Sequence, residues 1–121
     1  MLDSLRFYVT ACDLWKEGWN DTDLLGNDYR GKEISKQLVR SLGSISANIE
    51  EGYGRGYGQD YSRFLRIARG SARETRGWYV RSGLLLPAVT VNQRTEKLDF
   101  VIAALTKSIR TLEQKKHITP Y

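Results

Sequence analysis

Arg63, Arg66, Arg69, Arg73 and Arg76 recur at spacings of three and four residues, so on a helix that turns 100° per residue they fall on one side. Guanidinium groups in such a row suit one chemistry above others. Each offers a planar fork of N–H donors that meets phosphate oxygens two at a time and displaces the counterions condensed on nucleic acid. The row spans about 20 Å at 1.5 Å per residue. Glu74 and the flanking Asp60 are the acids of this segment, and both lie off the arginine face, which leaves a basic strip without built-in neutralisation. Five phosphate contacts would give a log–log salt slope of about −3.5 to −4.5. The competing reading is a solvated face, or one that pairs with the acidic first part of its own or a neighbouring chain.

Other chemistry-bearing residues converge less. Gly52-Tyr53-Gly54-Arg55-Gly56-Tyr57-Gly58 alternates glycine with Tyr or Arg, a composition expected to break a helix. Such a loop could stack bases on Tyr53 and Tyr57 while Arg55 meets phosphate. The reading favoured here is a plain helix connection in which Arg55 pairs with a carboxylate such as Glu51. No Gly-Lys-Ser/Thr closes the segment, so it is not a phosphate-cradling P-loop. Glu50 and Glu51 are adjacent and diverge by about 100° on a helix, which does not suit a general acid and base. No nucleophile, base and orienting group assemble from this inventory, so a non-enzymatic protein without cofactor is expected. His117 stands alone, without partners at ligand spacing, and no metal site is expected. Cys12 is the sole cysteine, which excludes an intrachain disulfide and suits a buried thiol in a reducing compartment.

The elements that must position the arginines read as helices. Leu5, Tyr8, Cys12, Trp15 and Trp19 form a heptad seam that predicts a helix over 3–19. The acidic stretch 20–29, with Gly26 and Asn27, reads as a longish connection. Ile34, Leu38, Leu42, Ile45 and Ile49 predict a second helix over 32–51 that stops at Gly52. A third helix over 60–86 packs Phe64, Ile67, Ala68, Ser71, Ala72, Thr75, Trp78 and Tyr79 opposite the arginines and ends before Pro87. Thr90-Val91-Asn92-Gln93 fits a capping box, after which Leu98, Ile102, Leu105, Ile109 and Leu112 predict a fourth helix over 92–115. Short connections favour an all-α, antiparallel up-down-up-down four-helix bundle, a single domain over 1–121. Ser41 and Asn48 border the second stripe and Ser71 and Glu74 the third, where they are expected to hydrogen-bond across the helix pair and set its register. Gly70 and Gly77 are expected to mark close helix approach.

The whole chain has 121 residues and a formal charge of +5, unevenly spread. Residues 1–29 carry two bases and six acids, residues 30–81 eleven and five, and residues 82–121 six and three. The middle of the chain is the part that would face a polyanion. No window reaches the roughly 18 to 20 apolar residues of a membrane span, and the start lacks a basic region followed by an apolar run; a cytoplasmic location is expected. Phe7, Val39, Leu65, Val80, Leu84 and Phe100 fall off the narrow seams, as a second buried surface between subunits would require.

Two motifs carry a family resemblance. Ser44-Ile45-Ser46-Ala47-Asn48-Ile49-Glu50-Glu51-Gly52-Tyr53-Gly54-Arg55 is followed by Phe64-Leu65-Arg66-Ile67-Ala68-Arg69-Gly70-Ser71-Ala72-Arg73-Glu74. Together they resemble the bacterial 23S rRNA intervening-sequence proteins, a four-helix family that includes the accessory variability proteins of diversity-generating retroelements. The resemblance implies a ring-like homopentamer with a basic surface and no catalytic activity. For members serving retroelements it implies binding of nucleic acid and of a reverse transcriptase; most other members have no established function. It also implies a structural role for the motif residues Asn48, Glu51, Gly52, Gly70, Ser71 and Glu74. The chain departs from the usual pattern at Glu50, where a small residue is commoner, and in its acidic first connection. The resulting expectation is an oligomer that binds RNA or DNA without strong sequence preference through Arg63, Arg66, Arg69, Arg73, Arg76 and Arg55, as accessory to an enzyme such as a reverse transcriptase. The alternative is an oligomeric scaffold for a protein partner, without nucleic-acid contact.

Overall fold

Four α-helices account for most of the chain: α1 (Arg6–Leu25), α2 (Tyr29–Arg55), α3 (Gly58–Arg81) and α4 (Ala88–Ile118), with short 3-10 turns at Leu2–Ser4 and Ser82–Leu84. The computed structural model describes residues 2–55 and 58–118, with side chains to residue 114; Tyr57 and the His117 side chain lie outside the described residues. No strand occurs among the described residues. α2 packs chiefly on α3 and α3 on α4, while α1 leans on α2 and more thinly on α4.

The α2 stripe is buried as its aliphatic spacing predicts, with Leu38, Leu42, Ile45 and Ile49 in the core and Ile34 at its edge. The α4 stripe follows suit through Leu98, Leu105 and Ile109, joined by Val101. α1 differs from expectation. Its buried residues are Phe7, Ala11, Leu14, Gly18, Asp21 and Leu25, a stripe with the same spacing as Leu5–Trp19 but turned around the helix. The reason is steric. A Cβ at Gly18 would stand 2.2 Å from Leu42 Cδ1 and 3.2 Å from the Tyr79 hydroxyl, so the small residues Ala11 and Gly18 let α1 sit deep. The indoles are left on the flank, Trp15 over Gly43 and Trp19 58% exposed. Cys12 is half-buried rather than buried.

The expected linker 20–29 is mostly helix. α1 runs on to Leu25, and Gly26, Asn27 and Asp28 close the turn by donating to the carbonyls of Thr22, Leu24 and Leu25. Asp28 then starts α2, its Oδ1 accepting from the backbone N–H of Arg30 at 2.8 Å and of Gly31 at 3.4 Å. Hydrogen bonds from Arg30 hold its carboxyl well below the usual carboxylate range. The glycine-rich segment also stays helical as far as Arg55, against expectation. Gly52 is not a cap but a contact point: a Cβ there would meet Phe64 Cβ at 3.0 Å and Tyr61 Cδ1 at 3.1 Å. Arg55 secures the turn beyond it by donating to Glu51 Oε1 at 3.2 Å, the pairing expected for it.

α3 ends at Arg81, five residues before the expected stop at Leu86, because the Ser82 carbonyl accepts from both Leu85 and Leu86 in a tightened turn. α4 begins at Ala88, directly after Pro87, whose carbonyl accepts from Val91 at 3.1 Å. Thr90 and Gln93 therefore lie inside the helix and form no capping box; proline at the threshold of a helix sacrifices no bonded N–H.

Cross-helix hydrogen bonds set the α2–α3 register. Thr75 Oγ1 donates to Ser41 Oγ at 2.8 Å, and the Ser44 and Ser71 hydroxyls share a hydrogen bond at 2.7 Å; Asn48, against expectation, bonds within α2, its Nδ2 donating to the Ser44 carbonyl at 2.8 Å and hydroxyl at 3.0 Å. Partner numbers fall along α3 as they rise along α2. Glu74 holds the Arg40 guanidinium and accepts from Trp78 Nε1 at 3.3 Å. Gly70 and Gly77, by contrast, do not mark close helix approach: a Cβ at Gly70 would meet nothing within 4 Å, and one at Gly77 only the Arg81 side chain. Of the residues off the narrow seams, Phe7 and Leu65 belong to the core, whereas Val80, Leu84 and Phe100 are exposed, Leu84 by 94%.

Candidate nucleic-acid interface

The basic strip runs along the boundary between α3 and α4, and α4 changes its charge. Arg66 forms an ion pair with Glu113. Arg76 donates to both carboxylate oxygens of Asp99, at 2.7 and 3.4 Å, and those bonds raise the guanidinium pKa. The expectation of a strip without neutralisation is therefore corrected at these two positions: the carboxylates come from the neighbouring helix, not from α3.

Between the two ion pairs the charge is uncompensated. Arg69 Nη1 donates to Thr106 Oγ1 at 3.2 Å. Partial burial, and then the charges of Arg73, Arg66 and Arg110, hold its pKa below the usual guanidinium value. It nonetheless remains cationic at any physiological pH. Among the described residues neither Arg73 nor Arg110 has a carboxylate within ion-pair distance, and both are exposed. Arg110 also edges a shallow open hollow with Thr106, Lys107 and Gln114. Like charges held this close are what a bound phosphate would relieve.

The remaining candidates lie at the other end of α3. Arg63 and Arg55 both approach the Phe64 ring, at 4.8 and 5.5 Å from its centroid, so the structure brings them together on one aromatic. Arg55 is also committed to Glu51. Tyr53 meets Tyr61 edge-on, centroids 6.3 Å apart. Glu50 accepts from the Tyr8 hydroxyl at 2.8 Å while Glu51 holds Arg55, so the two carboxylates serve different neighbours. Ser71, Glu74 and Gly52 meet the facing helix, while Asn48 braces Ser44 within α2.

Sequence reasoning missed the α4 contribution, although a signal for it exists. Asp99, Ala103, Thr106, Arg110 and Glu113 repeat the 4-3-4-3 spacing of Leu98, Ile102, Leu105, Ile109 and Leu112 one residue further on. A stripe adjoining a core seam must border the next helix. It also missed the buried cluster in which Asp21 accepts from the Tyr79 hydroxyl at 2.6 Å and from Arg94 Nε and Nη2 at 2.9 and 3.1 Å. Among the described residues no group of three or more His, Cys, Asp or Glu side chains could hold a metal ion, and no helix is long and apolar enough to cross a membrane.

The family model of the 23S rRNA-intervening sequence protein matches residues 3–107. Among solved structures, the chain is similar to a protein of unknown function from the S23 ribosomal protein family of Bacteroides thetaiotaomicron VPI-5482. That likeness has a TM-score of 0.79 at 23% identity and covers 85% of this chain and 97% of the other. It bears on the fold. No curated protein matches the chain.

Proposed function

The chain belongs to the 23S rRNA-intervening sequence protein family, and from that membership and the arginine geometry we propose that it binds nucleic acid non-specifically through phosphate contacts made by Arg69, Arg73 and Arg110. The observation that carries this reading is geometric: Arg73 lies one helical turn from Arg69, Arg69 donates to Thr106, and Arg110 lies one turn beyond Thr106, with no carboxylate of the described residues within ion-pair distance of the three. The groups offer no base-edge recognition motif, so affinity without strong sequence preference is the consequence. Three contacts per protomer give a log–log salt slope of about −2.1 to −2.7. Fluorescence-anisotropy titration of an RNA or DNA oligonucleotide between low and moderate salt measures that slope, and absence of binding at low salt would remove the reading.

In this reading the protein is a cytoplasmic, single-domain, antiparallel up-down-up-down bundle without catalytic activity. It assembles as a ring-like homo-oligomer, a pentamer by family resemblance, and serves a nucleic-acid-processing enzyme such as the reverse transcriptase of a retroelement. Self-assembly is supported by exposed apolar side chains near the end where Gly31 faces Leu85: Trp19, Leu24, Tyr29, Val80, Leu84 and Val89. Large apolar side chains left in water near one end of a bundle favour a protein contact there, and a ring would multiply weak phosphate contacts by avidity. The same exposed side chains support the second reading, a scaffold that seats a protein partner without touching nucleic acid. Reversing the arginine charges separates the two, because a scaffold has no nucleic-acid affinity to lose.

A further inference from the structure

A second feature adjoins the phosphate-binding arginines on the outer side of α3. Arg73, Glu74, Gly77, Trp78 and Arg81 line an open hollow. Trp78 is half-buried and its indole N–H is tied to Glu74, which Arg40 in turn holds, so the ring is fixed in orientation. The Arg81 guanidinium stands 5.1 Å from the ring centroid. Gly77 lets the Arg81 guanidinium lie over the helix: a Cβ there would come within 2.6 Å of Arg81 Nη1 and would push it aside. Glycine is a poor residue for mid-helix, and no close helix approach accounts for it at this position. Arg73 belongs to both features, lining the hollow and standing beside Arg69.

Resting on the phosphate reading above, we propose that this hollow is a base-stacking site for single-stranded nucleic acid. A strand whose phosphates lie on Arg69, Arg73 and Arg110 passes about 7.5 Å along the α3 axis from Trp78, five residues beyond Arg73. An unpaired base stacks on the indole in place of the Arg81 guanidinium, which then turns to a phosphate. Only a single strand offers a free π-face; in a duplex those faces are stacked inward. The site therefore selects single strands over duplexes of equal length, and does so without reading sequence.

Anisotropy titrations with an oligoadenylate single strand and an RNA duplex of equal length, at fixed low salt, test this. Trp78→Leu and Gly77→Leu, the second filling the hollow from the open surface, are each expected to weaken single-strand binding about 5- to 100-fold. Duplex binding is expected to change less than about twofold, and Trp78→Phe to keep most of the single-strand affinity. Gly77→Leu leaves the core untouched and so reports even where Trp78→Leu unfolds the protein. Equal losses for strand and duplex, or no loss for either, would overturn the stacking site alone. Failure of the unmodified protein to bind either form would overturn it together with the phosphate reading.

Discussion

The triple variant Arg69→Glu, Arg73→Glu, Arg110→Glu is expected to lose nucleic-acid affinity on the order of a thousandfold at low salt, and most of its salt slope with it. Each reversal removes a phosphate contact and adds a repulsion at the same spot. The loss is expected to be uniform across sequences, because backbone contacts carry no sequence information. Stability is expected to change little. Partial burial first, and then the charges of Arg73, Arg66 and Arg110, depress the Arg69 pKa, and three glutamates at the reversed positions repel one another as the arginines do while gaining attraction to Arg66. Arg73 and Arg110 are exposed, and Arg69 has one hydrogen bond to lose, to Thr106. Neutralising Arg66 and Arg76 with glutamine is the control. Both are half-exposed and already occupied by Glu113 and Asp99, so little binding is expected to be lost. Affinity and melting temperature measured together check the result; unchanged affinity in the triple variant would contradict it.

Asp21→Ala is expected to destabilise the protein by about 3 to 5 kcal/mol, the usual penalty for stripping one partner from a buried charge pair. Asp21 is 5% exposed and carries the Tyr79 hydroxyl and both contacting nitrogens of Arg94. It therefore fastens α1 to α3 and α4 at once. Burial first, and then the bond to Asp21, pushes the Tyr79 hydroxyl pKa up, and the Asp21 hydrogen bond is the leading cause of the raised Arg94 pKa. Glu17 lies 3.7 Å from Arg94 and takes Lys97 at 2.7 Å, but it is too distant and too engaged to replace Asp21. Alanine would leave a hydroxyl and a guanidinium, itself with only 12% of its side chain exposed, without their acceptor. Chemical denaturation measures the change, and a loss below about 1 kcal/mol would mean that water reaches the cluster.

How much of this was legible in the chain depended on whether a single helix held the information. The α2 and α4 stripes were readable because aliphatic residues at helical spacing bury wherever a partner exists. The cross-helix contacts of Ser41, Ser71 and Glu74 followed from polar residues at a seam's edge, whereas Asn48, expected to join them, bonds to Ser44 of its own helix. The seam of α1 was misplaced because hydrophobicity favours Tyr8, Trp15 and Trp19, while burial is decided by how closely Ala11 and Gly18 let the helix approach Leu42 and Tyr79. Asp21 looked like part of an acidic linker because its partners, Tyr79 and Arg94, are 58 and 73 residues away. The arginine strip was visible on α3, but its electrostatics were not: Asp99, Arg110 and Glu113 belong to α4, and only the packing of one helix on the other decides which guanidinium they neutralise and which they crowd.

On the proposed reading, anion contact concentrates at the middle of the strip, between the Arg66 and Arg76 ion pairs. NMR of the arginine Nε–Hε signals during titration with a short single-stranded oligonucleotide tests it most directly. The signals of Arg69, Arg73 and Arg110 are expected to shift together and saturate with the binding curve, while those of Arg66 and Arg76 stay close to their starting positions. Shifts confined to Arg66 and Arg76, or an unchanged spectrum at saturating oligonucleotide, would contradict the account.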